Sequence, residues 1–319
     1  MSTSASVTTP AGGRADRVGF GIALALIVAV TFALQDAASK LLVQHYSPFQ
    51  TSMVRYWGFA LFSLLLAVRQ APLRQSLRSR APLLQVFRGV LLVLDIWFFS
   101  MALQTVPLPE IQSIVLIYPL MVTLLAVPFL GERVGVFRIV AVGVGFAGAL
   151  IIVRPGGLPL EWGALAGLGS AITYALYLVL TRKISEHDST AVSMVYVALV
   201  GLVMTTGVGI WHWQAIQPSD ALLFLLIAVT TCIGHGFMMK ALSLAPASVL
   251  QPFNYLAIPF AIVLSVWVFD YLVDPTSMLG GAIVVGAGLV VMARERWLNR
   301  RRAKSKDVLP AIASSRPGD

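Results

Sequence analysis

Long apolar runs broken at short polar intervals dominate this chain. A helical crossing of a bilayer needs about 20 mostly apolar residues. Ten runs meet that length, at roughly 18–43, 48–68, 83–104, 107–129, 134–153, 161–182, 190–211, 220–242, 247–269 and 275–297. They are continuously apolar rather than alternating, which predicts helices and not a barrel. The connections are too short for a separate folded unit, so one all-α membrane domain of ten transmembrane helices is expected. Residues 1–17 and the basic stretch 298–319 read as disordered tails.

The pattern also repeats. Ser52-Met53-Val54 matches Ser193-Met194-Val195 at a separation of 141, Pro119 matches Pro259 at 140, and Gly148 matches Gly288 at 140. Further upstream, Thr31-Phe32-Ala33-Leu34 aligns with Thr173-Tyr174-Ala175-Leu176 at 142. Each copy holds five spans, so the chain divides into repeats at 18–155 and 156–297. An odd number of crossings sends the second copy through the membrane upside down, the architecture of secondary transporters.

Composition agrees: 58% of residues are hydrophobic, 12% are charged, and the mean hydropathy is +0.84. The net charge of +9 could suggest nucleic acid, but its placement says otherwise. Between spans, one side collects Arg14, Arg17, Arg69, Arg74, Arg78, Arg80, Arg133, Arg138, Arg182, Lys183 and the basic residues from Arg294 onward. The other side holds only Arg154. That bias puts both termini in the cytoplasm and residues 154–160 outside it. The run from Val18 is longer than the apolar core of a secretory signal and carries Asp36 and Lys40, so it is read as a retained helix. The single cysteine, Cys232, excludes an internal disulfide.

The first half reads Tyr118-Pro119-Leu120, then Phe129-Leu130-Gly131-Glu132-Arg133, then Gly143, Gly145 and Gly148. This resembles the drug/metabolite transporter superfamily, specifically the EamA-type carriers with ten helices. The second half departs from the pattern, with Asp270-Tyr271-Leu272 where Leu-Gly-Glu would stand. The resemblance implies a cavity between the repeats, lined mainly by spans 1, 3, 4, 6, 8 and 9, with spans 5 and 10 at the periphery. It also implies cargo ranging over amino acids, riboflavin, S-adenosylmethionine, metallophores and nucleotide-sugars.

Ionisable groups inside spans are costly and mark pathways by default. Asp36 and Lys40 stand four residues apart on span 1, close enough to pair. Asp95 lies near the centre of span 3, where it meets substrate or a proton, or forms a structural salt bridge to Arg55 on span 2. Arg88, near the end of span 3, is expected to snorkel to lipid phosphate. On span 8, His235 reads as a proton relay or a packed neutral ring, and Lys240 as a pathway cation or a snorkelling one. Polar and aromatic candidates for an organic ligand are Trp97, Gln112, Tyr118, Tyr174, Tyr177, Gln251, Asn254 and Tyr255. Pro119 and Pro259 fall at equivalent places and suggest matched hinges. No His or carboxylate pair has metal-ligand spacing, no Gly-Lys-Ser/Thr phosphate loop occurs, and no cofactor is expected.

These observations predict a multi-pass protein of a bacterial inner membrane. It would be a secondary carrier for a small zwitterionic or anionic metabolite, with protons or a counter-substrate as its exchange partner and no role for nucleic acid. Mixed cations and carboxylates suggest amino acid export first. The alternative is uptake of a vitamin or cofactor such as riboflavin or S-adenosylmethionine. A polar channel or a membrane enzyme are the other classes, and no catalytic set supports the enzyme.

Overall fold

A computed structural model describes residues 11–70, 78–130, 135–153, 162–185, 187–245 and 247–314. Its elements in chain order are α1 (Ala11–Leu42), α2 (Pro48–Gln70), α3 (Pro82–Thr105), α4 (Leu108–Val115), α5 (Tyr118–Leu130) and α6 (Val136–Ile152). They continue with α7 (Trp162–Ile184), α8 (Thr190–Gly209), α9 (Ala221–Leu244), α10 (Ala247–Leu250), α11 (Ala257–Phe269) and α12 (Pro275–Ser314). Among the described residues there is no strand. Nine helical stretches among the described residues are long and apolar enough to cross a membrane, and Val136–Ile152 is a shorter apolar helix.

The first helix begins at Ala11 and the last runs through Ser314, so both extend beyond the apolar spans expected at 18–43 and 275–297. Ala, Arg and Lys in these flanks favour extension of a helix already nucleated by its apolar span, although Gly12, Gly13 and Pro310 oppose it. The Leu-Gly-Glu-Arg motif reaches residues 131–133, and residues 154–160 follow α6; both lie outside the described residues.

The fourth and ninth spans are not continuous helices. The fourth breaks at Leu116 and Ile117, and α5 restarts with Pro119 in its first turn. The ninth consists of the single turn α10, a 3-10 segment Gln251–Leu256, and α11 with Pro259 in its first turn. Proline has no N–H to give the carbonyl four residues back, and it fits the first turn of a helix where none is needed. Each break therefore falls one turn before a proline.

The helices form a ring. Helix α1 packs on α9, α9 on α2, α2 on α8, α8 on α3 and α3 on α7; α7 packs on α4 and α5, and α4 on α11, which returns to α1. Helices α6 and α12 pack on each other outside it. Their seam is set by glycine: a Cβ on Gly280 would stand 2.6 Å from the Gly148 carbonyl, and one on Gly148 would stand 2.8 Å from that of Gly280. Only bare backbone permits this approach.

Polar clamps join ring helices at both ends of the bundle. At the face where α1 begins, Asp188 accepts from the Ser79 hydroxyl, the Arg80 N–H (2.9 Å) and the Gln85 amide (2.9 Å). Arg88 is 2% exposed there rather than snorkelling. It donates to Thr181 Oγ1 at 3.1 Å and the Ser193 carbonyl at 2.6 Å, with its guanidinium 5.3 Å from the Tyr177 ring centre. At the opposite face, Gln50 both donates to and accepts from the Gln214 backbone (2.7 and 2.9 Å). Tyr46 donates to Asp220 (2.8 Å) and accepts from Gln217 N–H (2.9 Å). Lys40 closes the same end. Its ammonium donates to the carbonyls of Leu103 (2.9 Å) and Val106 (2.8 Å), capping the C-terminus of α3. Around it Ala37, Val43, Leu103, Val106, Leu108, Ile111 and Ala261 form an apolar seal.

Two predictions follow from these contacts. Slight burial works against the Asp188 charge, but the donors from Arg80, Ser79 and Gln85 outweigh it and hold the carboxyl below its ordinary value of 3.8. A carboxyl held low stabilises the fold above its ordinary value, and that contribution is lost as pH falls through the lower folded-state value. Asp188→Asn should thus lower the melting temperature at neutral pH and flatten its dependence on acid, measured by thermal unfolding of the detergent-purified protein. Parallel acid curves for the two proteins would show that the clamp adds nothing. Lys40→Met should lose about 1–3 kcal/mol by stranding two carbonyls, read as a lower melting temperature in the same assay; an unchanged melt would discount the cap.

Candidate functional site

The breaks in spans four and nine leave short helices whose ends meet the middle of α1, α2, α3, α7 and α9. A cavity of about 290 Å³ opens between them. Its polar lining is Gln35 and Asp36 from α1, Arg55 and Tyr56 from α2, Asp95 from α3, Gln112 and Tyr118 from the fourth span, Ser170 and Tyr174 from α7, Thr231 and His235 from α9, and Asn254 from the ninth span. Span 2 thus joins the expected lining helices, while α6 and α12 contribute nothing to it. The ring order explains this: α2 sits between α8 and α9 and turns one face inward.

The charges sit together and are individually tethered. Gln112 Nε2 donates to Asp36 Oδ2 at 2.6 Å, and Ser170 Oγ donates to Asp95 Oδ1 at 2.5 Å. Arg55 interacts electrostatically with both carboxylates and with Tyr56. Lys40 does not pair with Asp36, despite the four-residue spacing, because its longer side chain reaches the α3 carbonyls instead.

Aromatic rings make the other wall. Tyr118 and Tyr174 meet edge to face at 4.8 Å, and Asn254 Nδ2 donates to the Tyr118 hydroxyl at 2.9 Å. His235 packs against Phe59 at 4.7 Å and Phe32 at 5.8 Å. Rings flanked by amides and charges can hold a flat, polyfunctional organic molecule by stacking and hydrogen bonds together.

Other expected candidates lie elsewhere. Trp97 Nε1 donates to Ser52 Oγ at 2.9 Å and its ring meets Phe49, so it joins α3 to α2. Tyr177 stacks on Tyr174 beneath Arg88, away from the cavity lining. Tyr255 is buried against Gly288, where any Cβ would overlap its hydroxyl, and it faces a second, mostly apolar cleft of about 560 Å³ beside α12. Lys240 is exposed on α9. Gln251 opens the 3-10 segment, and its side chain lies outside the described residues.

Gln35, Tyr56, Ser170 and Thr231 are lining residues that sequence reasoning missed. Gln35 Oε1 accepts from Thr231 Oγ1 at 2.8 Å, tying α1 to α9. Hydroxyl residues in apolar helices usually bond their own backbone, as Thr231 also does to Ile227, so their spacing carries no functional signal. Gln35, one position before Asp36 inside an apolar run, was the one legible hint.

The model of the EamA-like transporter family matches this chain twice, over residues 19–154 and 161–293. A riboflavin transporter of Vibrio cholerae is 28% identical over 89% of this chain and 95% of its own length. An S-adenosylmethionine uptake transporter of Rickettsia conorii is 24% identical over 90% of this chain and 97% of its own length. One solved crystal structure shares the fold at a TM-score of 0.61 and 18% identity, covering 89% of this chain and 99% of that one. With apolar helices throughout and a family model matching most of its length, the protein is a multi-pass integral membrane transporter and belongs to the EamA-like transporter family, within the drug/metabolite transporter superfamily.

Proposed function

We propose that this protein is a secondary carrier that takes up a heterocyclic vitamin or cofactor of the riboflavin kind by alternating access. The observation that carries this reading is the composition of the cavity: a Tyr118–Tyr174 wall facing amides and hydroxyls at the point where two helices are interrupted. A flat ring system suits the aromatic wall, and a polyhydroxyl chain suits Gln35, Gln112, Asn254 and the carboxylates. The names of the riboflavin-transporting relatives support the same cargo. Amino acid export, the first expectation from charge alone, finds no counterpart among those names. S-adenosylmethionine is the second reading, favoured by Asp36 and Asp95 as partners for its positive charges and by the relatives named for it.

In this reading residues 18–155 and 156–297 are inverted repeats in a bacterial inner membrane, and both termini are cytoplasmic. Pro119 and Pro259 are the bend points. The double family match and the packing support it, since α1 on α9 and α7 on α3 are the same pairing with the repeats exchanged.

Reconstituted vesicles should exchange labelled riboflavin against an internal unlabelled pool, saturably and without chemical change. Exchange of amino acids alone would overturn the cargo, non-saturable flux would indicate a channel, and an altered solute would indicate an enzyme. Orientation has its own test. In a Cys232→Ser background, an impermeant thiol reagent should label Ser219→Cys in intact cells and His187→Cys only after lysis. The reverse pattern would invert the topology.

A further inference from the structure

Among the described residues the cavity lining holds two carboxylates and one guanidinium, and its other ionisable groups are weak acids or an imidazole. Asp36 on α1 faces Arg55 on α2, Asp95 on α3 and the neutral Gln112 on α4. Asp95 faces Arg55, Asp36 and the neutral Ser170 on α7. Tyr56, Tyr118, Tyr174 and, on α9, His235 complete the lining. With the imidazole and the phenols uncharged, the cavity carries one surplus negative charge.

A carboxylate in the middle of a bilayer is costly unless it is compensated. Arg55 lies within electrostatic reach of both and can compensate only one. Among the described residues each carboxylate accepts one hydrogen bond, from a neutral donor, and both residues line the cavity. A metal cation in the remaining role would need about six oxygen ligands and would sit beside the guanidinium, which repels it. A proton has neither requirement, since it forms one O–H bond on a carboxylate of a residue that lines the cavity.

We propose that Asp36, Arg55 and Asp95 form a proton-binding site that couples transport to a proton gradient, one proton per neutral solute. The proton adds to a carboxylate oxygen from water at one face and returns to water at the other, leaving the solute unchanged. The two carboxyls share it, so the binding belongs to the pair. A solute with one net positive charge takes the proton's place and exchanges against it. The coupling role rests on the carrier reading above; the proton site itself does not.

Two measurements on the full-length protein separate them. Infrared spectra of the reconstituted, solute-free protein should contain a protonated-carboxyl band that titrates and that is lost in the Asp36→Asn/Asp95→Asn double variant. The Lys240→Gln variant should keep it. Absence of such a band from the wild type, or its persistence in the double variant, would overturn the site. In vesicles under a voltage clamp, an inward gradient of one pH unit should raise riboflavin accumulation up to about tenfold, with alkalinisation outside and acidification of an internal dye. Asp36→Asn and Asp95→Asn should each bring that accumulation back to the level without a gradient. Riboflavin exchange with no gradient response would defeat coupling while sparing the cargo. Lack of riboflavin exchange with an intact carboxyl band would defeat the cargo while sparing the site.

Discussion

Backbone hydrogen bonding in a medium without water is the constraint on which this structure turns. A helix satisfies every N–H and C=O within itself, and that is why the apolar runs fold as helices at all. Interrupting one is tolerated only where protein surrounds the loosened backbone. Here the interruption at Leu116–Ile117 is buried inside the bundle, the one at Gln251–Leu256 is mostly half-buried, and Leu116 and Asn254 from the two line the cavity. The cavity is thus the place where irregular backbone can exist, and the irregular backbone gives the cavity its shape.

The ends of the bundle obey the same rule with side chains. Lys40 supplies donors to the last carbonyls of α3, and Asp188 collects the donors that cluster before it. Buried Arg88 hydrogen-bonds a hydroxyl and a carbonyl and lies over an aromatic face, while Asp188 acts on it electrostatically, with no ion-pair contact between them. Neutral partners keep a guanidinium in place at less risk than an ion pair, whose desolvation can exceed its attraction.

Much of this was readable in the amino-acid order. Helical type and the internal match followed from apolar length and spacing, because a bilayer imposes those quantities directly; of the ten expected spans, nine reach spanning length among the described residues and Val136–Ile152 falls short of it. Asp36, Arg55, Asp95 and His235 stood out since ionisable groups in apolar runs are expensive. The partners of those groups did not. Whether Lys40 turns to Asp36 or to α3 depends on where a helix 63 residues away ends. Likewise, nothing local told that Trp97 bonds to Ser52 or that Arg88 is enclosed. The missing information is the rotation of each helix about its own axis, which neighbouring helices decide and local sequence does not.

The glycine seam between α6 and α12 has a consequence for how such a protein can diversify. With carbonyls of Gly148 and Gly280 against opposing backbone, these two helices leave no space for slack and behave as one beam outside the ring. None of the cavity lining comes from that beam. Changes of cargo can therefore accumulate on the inward faces of the ring without touching the contact that keeps the two halves in register. A scaffold divided in this way can alter its chemistry one lining position at a time while its frame stays fixed.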